Sequence, residues 1–534
     1  MQYRREIDGL RALAVVPVIL FHAGFEMFGG GFVGVDVFFV ISGYLITTII
    51  IADLEEGKFT IVNFYERRAR RILPALFLVM FACLPFAWLW ALPSHMDEFS
   101  QSLAAVSVFA SKILFWRESG YFNTSAELKP LLHTWSLGVE EQYYLVFPVF
   151  LLIAWRLGKR WLLSLLIVIA VASLAVAHWG ATAKPVATFF LLPTRGWELL
   201  IGASAAFHFP TTDRWQPRKA LNEVGSALGL ALLTYAIFAY NKQTPFPSLY
   251  ALVPTVGSAL IILLGTQETF VGRLLGNKVL VSIGLISYSC YLWHQPMFAF
   301  ARQRSLSEPN QLVFGMLTVI AFVLAYFSWR YVEIPFRNKE WIARKQVFSY
   351  GFICGAFFLG FGFYGHITEG NIGSIAKDPR YTKLIHRMRG NYGLASACVE
   401  RVNEAPDCRA NDDPEVLLWG DSNAMHLAQG FLASNPNIKM MQTTVPQCPP
   451  VLGLELATTM FGAQNCIDGN DYALHLLQKK PSIKYVVLGS TSFLKTDSSL
   501  VDRSGALLGN HYDAEVDFVK TIETIKSMGV KPIT

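Results

Sequence analysis

The chain has 534 residues, of which 53% are hydrophobic and only 16% charged. That balance excludes an ordinary soluble enzyme and fits a protein with many membrane spans. The net charge is +6, but the basic residues gather at the ends of apolar runs. They therefore speak for orientation in a membrane rather than for nucleic-acid binding.

Apolar windows suited to crossing a bilayer are expected at 10–24, 33–52, 73–92, 139–155, 161–179, 189–208, 221–240, 249–265, 279–300, 310–329 and 347–366. The fold expected is thus a polytopic α-helical membrane domain of about 11 spans, followed by an α/β domain outside the cytoplasm. The N-terminus and the even-numbered connectors hold 21 Lys and Arg, against 7 in the odd-numbered ones. The positive-inside rule then places the N-terminus in the cytoplasm, and an odd number of spans puts the C-terminal domain outside. Counting 101–116 as a span would break this alternation, so it is expected to be a re-entrant or interfacial helix. A cleaved signal peptide competes for the first window, but no small-x-small site follows it, and an uncleaved span is expected.

Domain boundaries are expected at 1–340 for the membrane domain, 341–366 for an additional linking helix, 367–390 for a polar linker and 391–534 for the globular domain. Within the linker, TEGNIGSIAKDPRYTK (368–383) is polar enough to let the two parts move. Cys83, Cys290 and Cys354 fall in spans and read as small apolar residues. Cys398, Cys408, Cys448 and Cys466 all fall in the globular domain and suit two disulfides in an oxidising compartment. Three pairings are open; Cys398–Cys408 with Cys448–Cys466 is the expected one. A zinc site is the alternative, without CxxC spacing to support it.

Ionisable groups inside spans are costly and mark sites. RALAVVPVILFH (11–22) opens on Arg11 and closes on His22. GGGFVGVDVFFVISGYL (29–45) then brings Asp36, and a histidine near a buried carboxylate suits a general base. In FYERRARRILPAL (64–76), Arg68 and Arg71 share a helix face at i, i+3 and suit phosphate groups, although topological charge explains the cluster as well. TWSLGVEEQYYLVFP (134–148) places Glu140, Glu141 and Tyr144 at the start of a span, as an acceptor pocket would. TRGWELLIGA (194–203) adds Arg195 and Glu198, as substrate contacts or a structural ion pair. ISYSCYLWHQP (286–296) adds Ser287, Tyr291 and His294.

Together with RYVEIPFR (330–337), these stretches closely resemble the membrane-bound acyltransferase-3 family over about residues 1–340. The chain is similar to the subgroup that modifies bacterial surface polysaccharides, such as O-antigen acetyltransferases with a fused SGNH-hydrolase-type domain. The resemblance implies that Arg11 and His22 form an essential pair, that Arg68 and Arg71 handle an acyl-CoA donor, and that Glu141 and its neighbours line the acceptor side. Acetyl-CoA would be the donor, no metal would be needed, and the partners would be membrane lipids and a glycan, free or lipid-linked.

In the globular domain, PEVLLWGDSNAMH (414–426) reads as strand, turn and helix. Gly420, Asp421 and Ser422 resemble the first SGNH block, with Ser422 as nucleophile beside an oxyanion-stabilising turn. YVVLGSTSF (485–493) has Gly489, Ser490 and Thr491 where the family usually has an asparagine. No DxxH motif follows, and GVKPIT (529–534) reads as a strand cut short, so the domain is expected to be a truncated one. His426, His475 and His511 read as surface residues.

The leading function is an integral membrane O-acetyltransferase of the bacterial inner membrane, moving acetyl from cytoplasmic acetyl-CoA to a sugar hydroxyl. The two disulfides favour a periplasm, and hence lipopolysaccharide O-antigen over peptidoglycan. A proton-coupled transporter is the rival class; a tethered esterase is the third.

Overall fold

The computed structural model describes residues 3–534 apart from 119–125, 208–218, 242, 306, 380, 382–390, 400–405, 457–462, 491–499, 505–506 and 509–513. The chain forms two compact units that divide between residues 383 and 384.

The first unit is helical. Helices α1 (Arg5–His22) and α2 (Gly34–Glu55) are followed by the long α3 (Ile61–Trp90). Two shorter helices, α4 (Pro93–Ser107) and α5 (Ser111–Arg117), precede α6 (Thr134–Ala154) and α7 (Lys159–Ala183). Next come α8 (Pro185–Phe190), α9 (Leu192–Ala206), α10 (Lys219–Ala239) and α11 (Leu252–Leu264). The unit continues through α12 (Phe270–Leu275), α13 (Lys278–Arg304) and α14 (Gln311–Ser328). A π-helical turn (Trp329–Glu333), α15 (Ile334–Arg337) and α16 (Arg344–Ile367) complete it.

Each expected apolar window contains a helix. Among the described residues, 7 helical segments are long and apolar enough to cross a membrane. The windows that miss this mark correspond to α1, α9, α11 and α13. Helices α9 and α11 have only 15 and 13 residues, short of the ~20 that a crossing needs. Helices α1 and α13 instead bury polar groups against protein, among them Asp8, His294, Gln295 and Arg302. Stretch 101–116 is divided between α4 and α5, with Phe109 at φ 54° between them. At 15 and 7 residues, neither is long enough to cross.

Two helix crossings set the positions that matter below. Helix α1 meets α13 at Gly284, where a Cβ would overlap the carbonyl of Asp8. Helix α2 meets α9 at Gly43 and Gly202, where a Cβ would overlap the carbonyls of Leu199 and Val40. Lipid tails are as apolar as leucine, so helices associate through close van der Waals packing, which small residues permit.

The second unit is α/β. Its strands are β1 (Val416–Gly420), β2 (Met440–Thr444), β3 (Leu454–Leu456), β4 (Tyr485–Gly489), β5 (Leu500–Asp502), β6 (Leu507–Leu508) and β7 (Lys531–Ile533). A parallel sheet runs in the order β2-β1-β4-β7, and a small antiparallel one in the order β3-β5-β6. The runs VLLWG and YVVLG are apolar at almost every position because central parallel strands are covered on both faces. Helices α17 (Ser422–Ser434), α18 (Ala463–Lys479) and α19 (Ala514–Ser527) complete the unit. The strand expected in GVKPIT is β7. Disulfides join Cys398 to Cys408 and Cys448 to Cys466, each pair with Cα atoms 5.4 Å apart; the expected pairing holds.

Replacing Gly284 by valine should force α1 away from α13. Overpacking costs about 1–3 kcal/mol, so Gly284→Val should lower the melting temperature and the yield of folded protein in detergent, while Gly315→Val, at a site with open space around it, should not.

Candidate functional site

A cavity in the helical unit encloses about 870 Å³ of space, with the open solvent at its mouth included. One part of its wall is basic. Arg11 comes from α1, and Arg68 and Arg71 come from α3. The four arginines of residues 67–71 divide cleanly by role. Arg67 pairs with Asp53 at 2.6 Å. Arg70 is buried, pairs with Glu66 at 2.9 Å, and donates to the carbonyls of Phe336 and Ile342. Arg68 and Arg71, three residues apart, turn to the cavity. Neither has a carboxylate within ion-pair distance among the described residues. Arg68 lies over the rings of Phe64 and Tyr144, and its buried Nε has no hydrogen-bond partner among the described residues. With no carboxylate beside it and the cavity in front of it, this guanidinium is placed to meet an anionic ligand.

From α6, Glu140 and Tyr144 reach the cavity. Ser42 donates to Glu140 Oε1 at 2.8 Å and Tyr144 to Oε2 at 3.2 Å. Glu141 is not in the cavity wall. Neighbouring residues on a helix point about 100° apart, and here Glu140 is the one turned to the cavity. The carboxylate there is Glu140, where the resemblance singled out Glu141 for the acceptor side.

Asp36 also differs from expectation. It does not meet His22 but pairs with Arg195 at 3.1 Å, and Arg195 pairs with Glu198 at 2.9 Å. All three are fully buried. The guanidinium lies between the rings of Phe39, Trp135, Phe189 and Phe246. None of the three lines the cavity. The close α2–α9 crossing makes this pair, so Arg195 and Glu198 hold helices together rather than contact a cavity ligand.

His22 meets another imidazole. Its Nδ1 lies 3.1 Å from Nε2 of His294, and the rings stack with centroids 5.2 Å apart. His294 Nδ1 lies 2.6 Å from the carbonyl oxygen of Tyr291. The carbonyl of His22 accepts from Arg302 at 2.9 Å. Neither His22 nor His294 is in the cavity wall, but His133 is. The His133 ring packs edge-on against His294 and Tyr291, with centroids 5.6 Å and 5.3 Å away. His133 thus connects the cavity to the His22–His294 pair, and sequence reasoning missed it. The signal was present: it is a histidine that follows the apolar pair Leu131 and Leu132, immediately before TWSLGVEEQYY. Ser287 and Tyr291 also line the cavity, and the Tyr291 hydroxyl bonds with Ser136 Oγ at 2.8 Å and donates to the carbonyl of His133 at 3.0 Å.

The second unit has its own candidate. Ser422 begins α17, at the end of β1, and the connections from β1 and β4 leave the sheet in opposite directions there, a usual place for ligand crevices in such sheets. Gly420 has φ 150°, and a Cβ on it would overlap the carbonyl of Gly489, so only glycine fits. Asp421 caps α17 by accepting from the Asn423 N–H at 2.7 Å, and Ser490 donates to its other oxygen at 2.6 Å. The Asp421 N–H is already bonded to the Gly489 carbonyl, at 3.1 Å. Asp421, Gly489 and Ser490 therefore lock the turn that presents Ser422. His426 and His475 are exposed, as expected of surface residues; Thr491 and His511 lie outside the described residues.

Comparison with known proteins supplies an independent line. A family model described as "Acyltransferase domain" matches residues 4–330, and one described as "SGNH domain (fused to AT3 domains)" matches residues 396–534. The chain is similar to the peptidoglycan O-acetyltransferase OatA of Listeria monocytogenes, 31% identical over 355 residues, covering 64% of this chain and 57% of that protein. It is also similar to YrhL of Bacillus subtilis, 27% identical over 455 residues, covering 79% of this chain and 70% of YrhL. With the O-acetyltransferase OatA of Staphylococcus aureus, identity is 29% over 350 residues, covering 63% of this chain and 58% of that protein. The chain thus spans little more than half the length of the two OatA proteins. No solved structure matches.

The division of the arginines predicts two different phenotypes. Arg68→Ala and Arg71→Ala should not lower the melting temperature, and should weaken binding of a phosphate-bearing ligand, with coenzyme A as the calorimetric probe, by about tenfold each. Arg195→Ala would strand two buried carboxylates. It should cost about 3–5 kcal/mol, seen as loss of folded protein in size-exclusion chromatography.

Proposed function

The chain belongs to the acyltransferase family whose model matches residues 4–330, and on that premise we propose that it moves an acetyl group from acetyl-CoA to a hydroxyl of a cell-envelope glycan. The observation that carries this reading is the single cavity with Arg68 and Arg71 in one part of its wall and His133, next to the His22–His294 pair, in another. The guanidiniums of Arg11, Arg68 and Arg71 would hold the donor's phosphates. The pantetheine arm would run along the apolar wall formed by Phe38, Phe39, Leu45 and Ile46. The thioester would then lie towards the histidines.

The chemistry is acyl transfer. The acceptor oxygen attacks the acetyl carbonyl carbon, the C–O bond forms, and the C–S bond breaks. His22 takes the hydroxyl proton and gives it to the departing thiolate. Glu140, held by Ser42 and Tyr144, serves to orient the ligand in the cavity. Arg11 and the cluster 67–71 would lie at the cytoplasmic side, where charge bias puts the N-terminus. The second unit, outside, would take part through Ser422. The two disulfides support an oxidising compartment for it.

For the acceptor, peptidoglycan is favoured over lipopolysaccharide O-antigen. The Listeria relative is named as a peptidoglycan O-acetyltransferase, whereas the O-antigen expectation rested on the cysteines and on a resemblance to the O-antigen acetyltransferase subgroup.

The test is acetate released by mild base from purified peptidoglycan and from surface polysaccharide, in cells lacking the native protein and complemented with the full chain. Wild type should restore acetate on peptidoglycan. His22→Ala, present in the membrane at equal level, should lower it by about 100-fold or more. Full activity in His22→Ala would overturn the reading. Loss in Ser422→Ala would route the acetyl group through Ser422 Oγ; retention would mean direct transfer in the helical unit.

A further inference from the structure

Helix α13 and the chain that leads into α6 run past each other in opposite senses. On α13, Gln303, Gln295 and Tyr291 donate to the carbonyls of Leu128, Lys129 and His133, at 2.8 Å, 3.3 Å and 3.0 Å. The partners thus advance along the chain as α13 is followed backwards. The Tyr291 hydroxyl also bonds with Ser136 Oγ at 2.8 Å, which fixes the level at which α13 faces α6. One turn further on stand Ser287 on α13 and Glu140 on α6, each four residues from that bonded pair. Both line the cavity, so its wall carries a hydroxyl and a carboxylate at one level, on opposing helices.

Ser287 is fully buried, and its Oγ has no hydrogen-bond partner among the described residues. A serine inside a helix can return its hydroxyl to the carbonyl one turn back, as Ser282 and Ser328 do at 2.7 Å and 2.8 Å. The Ser287 hydroxyl opens on the cavity instead, where it can donate to a ligand. Glu140 has acceptor capacity to spare. Ser42 donates to one of its oxygens and Tyr144 to the other, whereas a carboxylate has about four acceptor positions. Along α6, Glu140 lies about 6 Å of helix rise from Tyr144 and about 10 Å from His133. The Tyr144 ring lies under Arg68. The Ser287–Glu140 level is therefore the middle of the cavity, with the arginines towards one end and His133 towards the other.

We infer that Ser287 and Glu140 bind an amide in the middle of the donor, Ser287 by donating to its carbonyl oxygen and Glu140 by accepting from its N–H. The inference rests on the reading of the donor as an acyl-CoA. It goes beyond that reading by naming the part of the donor that the middle of the cavity recognises. A secondary amide is planar and trans, so its C=O and N–H point to opposite sides. A hydroxyl and a carboxylate on opposing helices match that arrangement. The arm of coenzyme A between its phosphates and its sulfur carries two such amides, whereas a nucleotide or an acyl phosphate carries none. A glycan also offers hydroxyls, but it has to meet the acetyl carbon at the histidines. The arm that joins the arginines to that point passes the middle level. No bond is made or broken there: Ser287 and Glu140 are substrate-binding residues, and the serine proton stays on its oxygen.

Two probes separate the arm from the nucleotide. Calorimetry on the full chain in detergent would compare coenzyme A with adenosine 3′,5′-bisphosphate, which has the nucleotide but no arm. Wild type should bind coenzyme A more tightly than the bisphosphate. Ser287→Ala should weaken coenzyme A by about fivefold and leave the bisphosphate unchanged, whereas Arg68→Ala should weaken both. Ser287→Cys, which keeps the shape but has a weak donor, should fall between wild type and Ala, and it gives the same comparison if the Ala variant fails to fold. In acetyl transfer, Ser287→Ala should raise the donor KM by about fivefold with kcat within about twofold of wild type, as expected of a contact made equally before and during the reaction. A merely structural role for Ser287 would weaken both probes together, and that result would overturn the inference. Unchanged coenzyme A affinity in Ser287→Ala with a raised acceptor KM would hand the level to the glycan and overturn it as well, leaving the acetyltransferase reading standing. A wild type that does not bind coenzyme A would instead sink the donor reading on which the inference rests.

Discussion

Helix α1 can bring His22 to His294 because Gly284 lets its backbone pack on α13 at the carbonyl of Asp8. The part proposed for His22 depends on this crossing. Helices in lipid gain nothing from hiding apolar side chains from each other, so a shared polar contact needs close backbone packing to sustain it. The same crossing explains why α1 and α13 fall short as membrane spans by composition. Their polar groups are turned to protein rather than lipid, where an unpaired charge would be expensive.

Charge burial also sorts residues that look alike in sequence. Arg195 and Arg68 both lie in apolar surroundings. Arg195 is enclosed by two carboxylates and four aromatic rings, and its charge is accounted for within the fold. Arg68 has aromatic faces but no carboxylate among the described residues, and it borders a cavity. The first arrangement holds helices together, and the second leaves a charge to be met by a ligand. Arg67 and Arg70 follow the first pattern, and Arg71 the second.

In the second unit the constraint is again close backbone approach. Gly420 and Gly489 bring the ends of β1 and β4 together, and Asp421 and Ser490 tie them. The result is a rigid turn that starts α17 on Ser422. The aspartate of Gly-Asp-Ser is there for geometry, since both its carboxylate oxygens and its N–H are used inside the turn.

By itself the sequence determined the division into a helical part and an α/β part, the place of the long apolar helices, the strands around Gly-Asp-Ser, and the Arg68–Arg71 face. These follow from composition, from continuous apolar runs and from i, i+3 spacing, which are local properties. The disulfide pairing also agreed with the expectation, although the sequence left three choices. Only the tertiary structure decided which polar groups meet. It gave Asp36 to Arg195 rather than to His22, turned Glu140 rather than Glu141 to the cavity, and placed His133 between that cavity and His294. The physical reason is that a helix carries side chains on all its faces. Which face meets which neighbour is set by interhelical packing, at glycines such as Gly43, Gly202 and Gly284, between segments far apart in the chain.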